Sequence, residues 1–130
     1  MQFHASVTGV TSILVVDDSA SYRFLLVNLL KKWNFSVFEA ENGEEALDIL
    51  ADNSINMVIS DWEMPVMDGF TLTRNIKQDA RFKGIPVIIH SSLTGSANEG
   101  HVKSVGADAY IAKFVAEELG NTIRSVLVRK

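Results

Sequence analysis

Five short apolar runs, 13–16, 35–40, 57–60, 86–90 and 109–112, alternate along this chain with stretches of helical periodicity. Runs of this length without strict polar alternation suit strands buried on both faces. Between them, Ser19 is placed to cap a helix on which Tyr22, Leu26, Leu29 and Trp33 recur at three- and four-residue spacing. A second helix is predicted over 43–52 with Ala46, Leu47 and Leu50 inward. A third runs through Leu72 and Ile76 after the turn pair Asp68-Gly69, and a fourth covers 97–105. The last starts near Ala116 and buries Leu119, Ile123, Val126 and Leu127. Strands returning through right-handed helical crossovers make an open parallel sheet covered on both faces. The expected fold is therefore an α/β, doubly wound, flavodoxin-like (βα)5 domain with strand order 2-1-3-4-5. Residues 11–130 are assigned to that domain and 1–10, which lack periodicity, to a linker or the remnant of one.

Charge and composition remove several classes of function. A net charge of -4 and a pI near 5.3 argue against a nucleic-acid or membrane-surface binder, which would need a basic patch. With no cysteine there is no disulfide framework and no thiolate metal site, which fits a cytoplasmic setting. The first residues lack the cationic start and apolar run of a signal peptide, and no apolar stretch is long enough to span a bilayer.

In sheets of this type ligands bind beyond the carboxyl ends of the strands, where the strand order reverses between the first and third. The acids lie there: Asp17 and Asp18 follow the first strand and Asp61 follows the third. Two like charges about 4 Å apart repel by roughly 4 kcal/mol at an effective dielectric near 20, so three carboxylates in one crevice need compensation. Mg²⁺, which prefers oxygen ligands and is held by one or two carboxylates plus phosphate, supplies it. Lys113 at the end of the fifth strand adds a cation, and Ser91 at the end of the fourth a hydroxyl. Asp61, alone at the end of the central strand, is the candidate nucleophile, since a carboxylate can attack phosphorus to form an acyl phosphate. Mg²⁺ and Lys113 would stabilise charge on the transferred group. Trp62 reads as core, and His4, His90 and His101, which lack metal-site spacing, as incidental.

These residues resemble the CheY-like receiver domains of two-component response regulators: "VVDDS" after the first strand, "SDWEMPVMDG" after the third, a hydroxyl at Ser91, and Lys113 late in the chain. The resemblance implies that Asp61 is the phosphoacceptor, that Asp17, Asp18, Asp61 and the main-chain carbonyl of Glu63 hold Mg²⁺, and that Ser91 and Lys113 bind the phosphoryl group. It also makes Tyr110 the aromatic that changes rotamer with the signal, switching the face formed by the fourth helix, fifth strand and fifth helix. Glu63 and Leu93 would border the path of the water that removes phosphate. Such a domain catalyses its own phosphorylation and dephosphorylation without being an enzyme acting on other substrates, and its phosphodonor is a sensor histidine kinase. The segments "HSSLTGSAN" and "VGADAYIAKF" are most similar to the receiver halves of CheV-type chemotaxis coupling proteins, in which a CheW-like domain precedes the receiver. One departure is Phe114, where most receivers have proline after the lysine. Because a non-proline cis bond costs about 2.5–4 kcal/mol, the Lys113-Phe114 bond is expected to be trans.

Two rival readings share part of this pattern. A haloacid-dehalogenase-type phosphatase also uses a strand-end Asp, Mg²⁺, a hydroxyl and a lysine. Its second Asp, two residues on, is Glu63 here, and its nucleophile usually ends the first core strand. A flavodoxin-like binding module needs Gly, Ser or Thr donors in its first loop, where Asp17 and Asp18 would instead repel an anion.

Overall fold

The structure is a computed structural model that describes residues 11–91, 103–113 and 116–128. Five parallel strands, β1 (Ser12–Val16), β2 (Ser36–Ala40), β3 (Met57–Asp61), β4 (Val87–Ser91) and β5 (Ala109–Ala112), form one sheet in the order β2-β1-β3-β4-β5. Among the described residues four helices are complete enough to bound: α1 (Ala20–Lys32), α2 (Gly43–Asp52), α3 (Gly69–Gln78) and α4 (Ala116–Val128). The helix expected over 97–105 falls largely outside the described residues, as do Leu93, His4, His101 and Phe114, the last taking the Lys113-Phe114 bond with it.

Strands β1, β3 and β4 are buried almost along their whole length because helices cover both faces, which is why they read as continuous apolar runs. Alternate residues feed two cores. Leu14, Val16, Val58, Val87 and Ile89 pack with Ala46, Leu50, Leu72 and Ile76 from α2 and α3. Ile13, Val15, Met57, Ile59, Ile88 and Ile111 pack with Leu26, Val27, Leu30, Leu119 and Ile123 from α1 and α4.

Three helices begin on the side chains their sequences offer. Ser19 caps α1 by accepting from the Tyr22 amide, Asn42 caps α2 from Glu45, and Asp68 caps α3 from Thr71. The expected face of α1 meets the core, with Trp33 buried just past its end, and the buried surface is wider than expected. Leu26, Val27 and Leu30 are buried, Tyr22 and Leu29 lie at the margin, and Phe24 and Leu25 are 68% and 60% exposed. The run Phe24-Leu25-Leu26-Val27 followed by Leu29-Leu30 is apolar on most sides of the helix, so packing against the sheet sets how far the buried surface extends beyond that face.

Candidate functional site

The two-residue period of the strands sets which side chains can meet at the sheet's carboxyl end. Asp17 continues the parity of Ile13 and Val15, Asp61 that of Met57 and Ile59, His90 that of Ile88, and Lys113 that of Ile111. All four therefore lie on the α1–α4 side. Ser91 and Tyr110 have the opposite parity, matching Ile89 and its neighbours.

Asp17, Asp18 and Asp61 each bring a carboxylate oxygen within 4.8 Å of the others. Asp17 is fully buried, Asp61 nearly so, and Asp18 exposed. The Lys113 ammonium donates to Asp17 Oδ2 at 2.9 Å and stands 3.3 Å from Asp61 Oδ2. Asp17 is held further by the Ser19 amide on Oδ1 (2.8 Å) and by Arg23, whose Nη1 donates to the Asp17 carbonyl at 2.6 Å. Arg23 also pairs with Glu39 at 3.1 Å, tying the ends of β1 and β2 together.

Burial and the neighbouring Asp17 charge push the Asp61 carboxyl up to about 6, against the opposing pull of Lys113. Three hard oxygen donors, two buried and one open to solvent, suit a divalent cation of the Mg²⁺ type.

The β3–α3 loop is fixed from several sides. Ser60 Oγ donates to the Asp61 carbonyl, the Trp62 amide to the His90 carbonyl, and the Gly69 amide to the Trp62 carbonyl at 2.8 Å. Trp62 packs edge-on against Phe70, ring centroids 4.6 Å apart, and against Tyr110 at 6.2 Å. Ser91 is buried at the end of β4, and its carbonyl accepts the Lys113 amide at 3.0 Å. Glu63 is exposed in the loop after Asp61.

One residue set aside on sequence grounds is part of this centre. His90, expected to be incidental, is 1% exposed, with Nε2 3.8 Å from Asp17 Oδ2 and Nδ1 3.2 Å from the Tyr22 hydroxyl. Burial, with Lys113 nearby, lowers its pKa to about 3, so the imidazole is neutral and the 3.8 Å approach is no ion pair at neutral pH. Tyr22 also lies beneath Lys113, whose ammonium is 4.5 Å from the ring centre. The signal available in the sequence was parity: His90 follows Ile88 on the face that carries Asp17 and Asp61.

The sequence model of the response regulator receiver domain matches residues 13–124. Chemotaxis protein CheV3 of Helicobacter pylori is 37% identical over 125 residues, covering 88% of this chain and 40% of that protein. The chain thus spans less than half of that relative. Chemotaxis protein CheY1 of Helicobacter pylori is 38% identical over 120 residues, covering 88% of this chain and 95% of that protein. Among solved structures, chemotaxis protein CheY4 of Vibrio cholerae superposes with a TM-score of 0.86 at 30% identity, covering 91% of this chain and 99% of that one.

Proposed function

This chain belongs to the response regulator receiver domain family, phosphoacceptor modules of two-component systems that take phosphate from histidine kinases, and from that premise we propose that Asp61 is its phosphoacceptor. The observation that carries the assignment is the Lys113 ammonium standing between Asp17 and Asp61, with three carboxylate oxygens within 4.8 Å of one another at the switch point of the sheet.

In this reading an Asp61 oxygen forms the new O–P bond while the donor's bond to phosphorus breaks, leaving an acyl phosphate on the protein. Lys113 turns from the resting carboxylates to a phosphoryl oxygen, and the Ser91 hydroxyl donates to another. Asp17, Asp18, Asp61 and the Glu63 carbonyl would hold Mg²⁺, which when bound neutralises charge on the carboxylates and the phosphoryl oxygens. Receiver domains generally bind Mg²⁺ through such acids.

The readout assigned to this chain runs through Ser91 and Tyr110. A hydroxyl drawn to the phosphoryl group frees space for the aromatic ring, which at rest packs edge-on against Trp62. Glu63 and Leu93, two residues beyond Asp61 and Ser91, are assigned to the approach of the hydrolytic water. The similarity to CheV3 and CheY1 favours a chemotaxis system, with a chemotaxis kinase as donor, a CheW-like domain in the rest of a longer protein, and a cytoplasmic setting. Among the described residues no helix is long and apolar enough to cross a membrane.

The test is intact-mass measurement after incubation with Mg²⁺ and acetyl phosphate. The wild type should gain one phosphoryl group and Asp61→Asn none; equal labelling of both would reject Asp61.

A further inference from the structure

Asp17 has no exposed surface, and each of its carboxylate oxygens has a donor: the Ser19 amide on Oδ1 at 2.8 Å and Lys113 on Oδ2 at 2.9 Å. Phosphorylation as read above takes Lys113 away to the phosphoryl group. The Mg²⁺ that Asp17 would help to hold compensates its charge, but a ligating carboxylate keeps lone pairs that are hydrogen-bonded in turn, so a buried oxygen that loses one donor favours another in its place.

His90 lies on the other side of that oxygen. Its Nε2 is buried without a hydrogen-bond partner among the described residues, and 3.8 Å from Asp17 Oδ2 it is about 1 Å beyond hydrogen-bonding reach. A neutral imidazole carries one hydrogen. The tautomer with that hydrogen on Nδ1 would turn a lone pair on Nε2 toward a carboxylate, acceptor against acceptor. The other tautomer lets the Tyr22 hydroxyl donate to Nδ1 across 3.2 Å and aims an N–H at Asp17. The same Tyr22 ring supports the Lys113 ammonium in its resting place.

We propose that His90 is a positioning residue for phosphorylation: when Lys113 turns to the phosphoryl group, the His90 Nε2–H takes its place on Asp17 Oδ2, with Tyr22 holding the imidazole tautomer. The imidazole stays neutral throughout, so no proton changes hands. The inference rests on Asp61 being the phosphoacceptor.

The experiment uses the protein labelled with ¹⁵N in its histidines, with His90→Gln identifying the His90 signals. Phosphorylation with acetyl phosphate and Mg²⁺ is followed by mass in the same samples. The Nε2-protonated tautomer is expected before phosphorylation. Its proton should then shift downfield and exchange more slowly with solvent as the phosphoryl mass appears. His90→Leu should reach a phosphorylated fraction lower by about ten- to a hundredfold in equilibrium ratio, the effect of one hydrogen bond to a charged group. His90→Gln, which keeps an N–H donor, should recover much of it. Full phosphorylation with an unmoved Nε2 proton, or an Nδ1-protonated tautomer, overturns the handover while Asp61 stands. If His90→Leu does not fold, the wild-type imidazole spectrum decides alone. Absence of any phosphoryl gain on the wild type overturns the Asp61 reading, and the handover with it.

Discussion

Gly69, the first residue of α3, packs so closely on the main chain of Asp61 that a β-carbon there would run into the Asp61 carbonyl oxygen. The obstacle is backbone, which cannot rotate away as a side chain would. Gly69→Ala should cost about 1–3 kcal/mol, the usual penalty of overpacking, and displace Asp61 relative to Lys113. Denaturant midpoints and labelling by acetyl phosphate should both fall; a stable variant that labels normally would show that the contact is not maintained.

Proton linkage without Mg²⁺ should reveal two opposed groups. Asp61 is raised from 3.8 to about 6, so between those values the folded protein keeps a proton the unfolded chain has lost, and its contribution to stability falls as pH rises from 3.8 to 6. His90 is lowered from 6.5 to about 3, so the unfolded chain binds a proton the folded protein refuses, and stability falls as pH drops from 6.5 toward 3. Between about pH 4 and 6 the two oppose one another, and below that range only His90 acts. Relative to wild type, Asp61→Asn should lose stability more steeply from pH 6 to 4, and His90→Gln less steeply. Urea midpoints at a series of pH values check this, and parallel curves for all three proteins would contradict it.

The loop after β3 carries local strain at an exposed residue. Val66, 75% exposed, has φ 72°, and the Met67 amide donates to the Pro65 carbonyl across it at 2.8 Å, the pattern of a γ-turn. A β-branched residue rarely adopts this conformation, whereas glycine does so freely. Val66→Gly should therefore stabilise the fold by about 1 kcal/mol, the penalty of a left-handed residue, reduced by the entropy glycine loses on folding. A lower melting temperature for the variant would count against the turn.

Strands β4 and β5 are pinned at their amino ends by Asp108. Its carboxylate accepts from Lys77 Nζ at 2.9 Å and from the Val87 amide at 2.8 Å, while its own amide donates to the Val87 carbonyl. Asp108→Ala should cost about 1–3 kcal/mol by leaving a strand amide without its acceptor, yet leave labelling of Asp61 intact because the site is at the opposite end of the sheet. Thermal melts and intact mass, taken together, separate the two effects.

Trp62 follows Asp61 directly and packs against Phe70 and Tyr110, so its fluorescence should report a cation among the three acids. With Trp33 replaced by Phe, Mg²⁺ should change the emission saturably, and Asp18→Ala should weaken the response at least severalfold by removing one carboxylate ligand. A titration that is flat, or unchanged by Asp18→Ala, would argue against Mg²⁺ at these residues.

The alternation of strands and helices, the order of the sheet and the gathering of acids at its carboxyl end were legible in the amino-acid sequence. Those features rest on local patterns: short apolar runs, capping residues such as Ser19 and Asp68, and charged residues placed where runs stop. The proximity of Asp17, Asp61 and Lys113 follows once the strands are ordered, since each is the first residue past a strand or the last within it. Tertiary structure alone decided the rest. The full extent of the buried face of α1 was hidden because its sequence is apolar nearly all round, so only the sheet it meets brings in Val27 and Leu30 and leaves Leu29 at the margin. Parity puts His90 on the face of Asp17 and Asp61, but its meeting with Tyr22, 68 residues away, depends on how α1 crosses the sheet. Local sequence fixes which backbone a segment prefers, whereas the neighbours of a buried polar atom are fixed by packing between distant segments, and it is there that the environment of Asp17 was set.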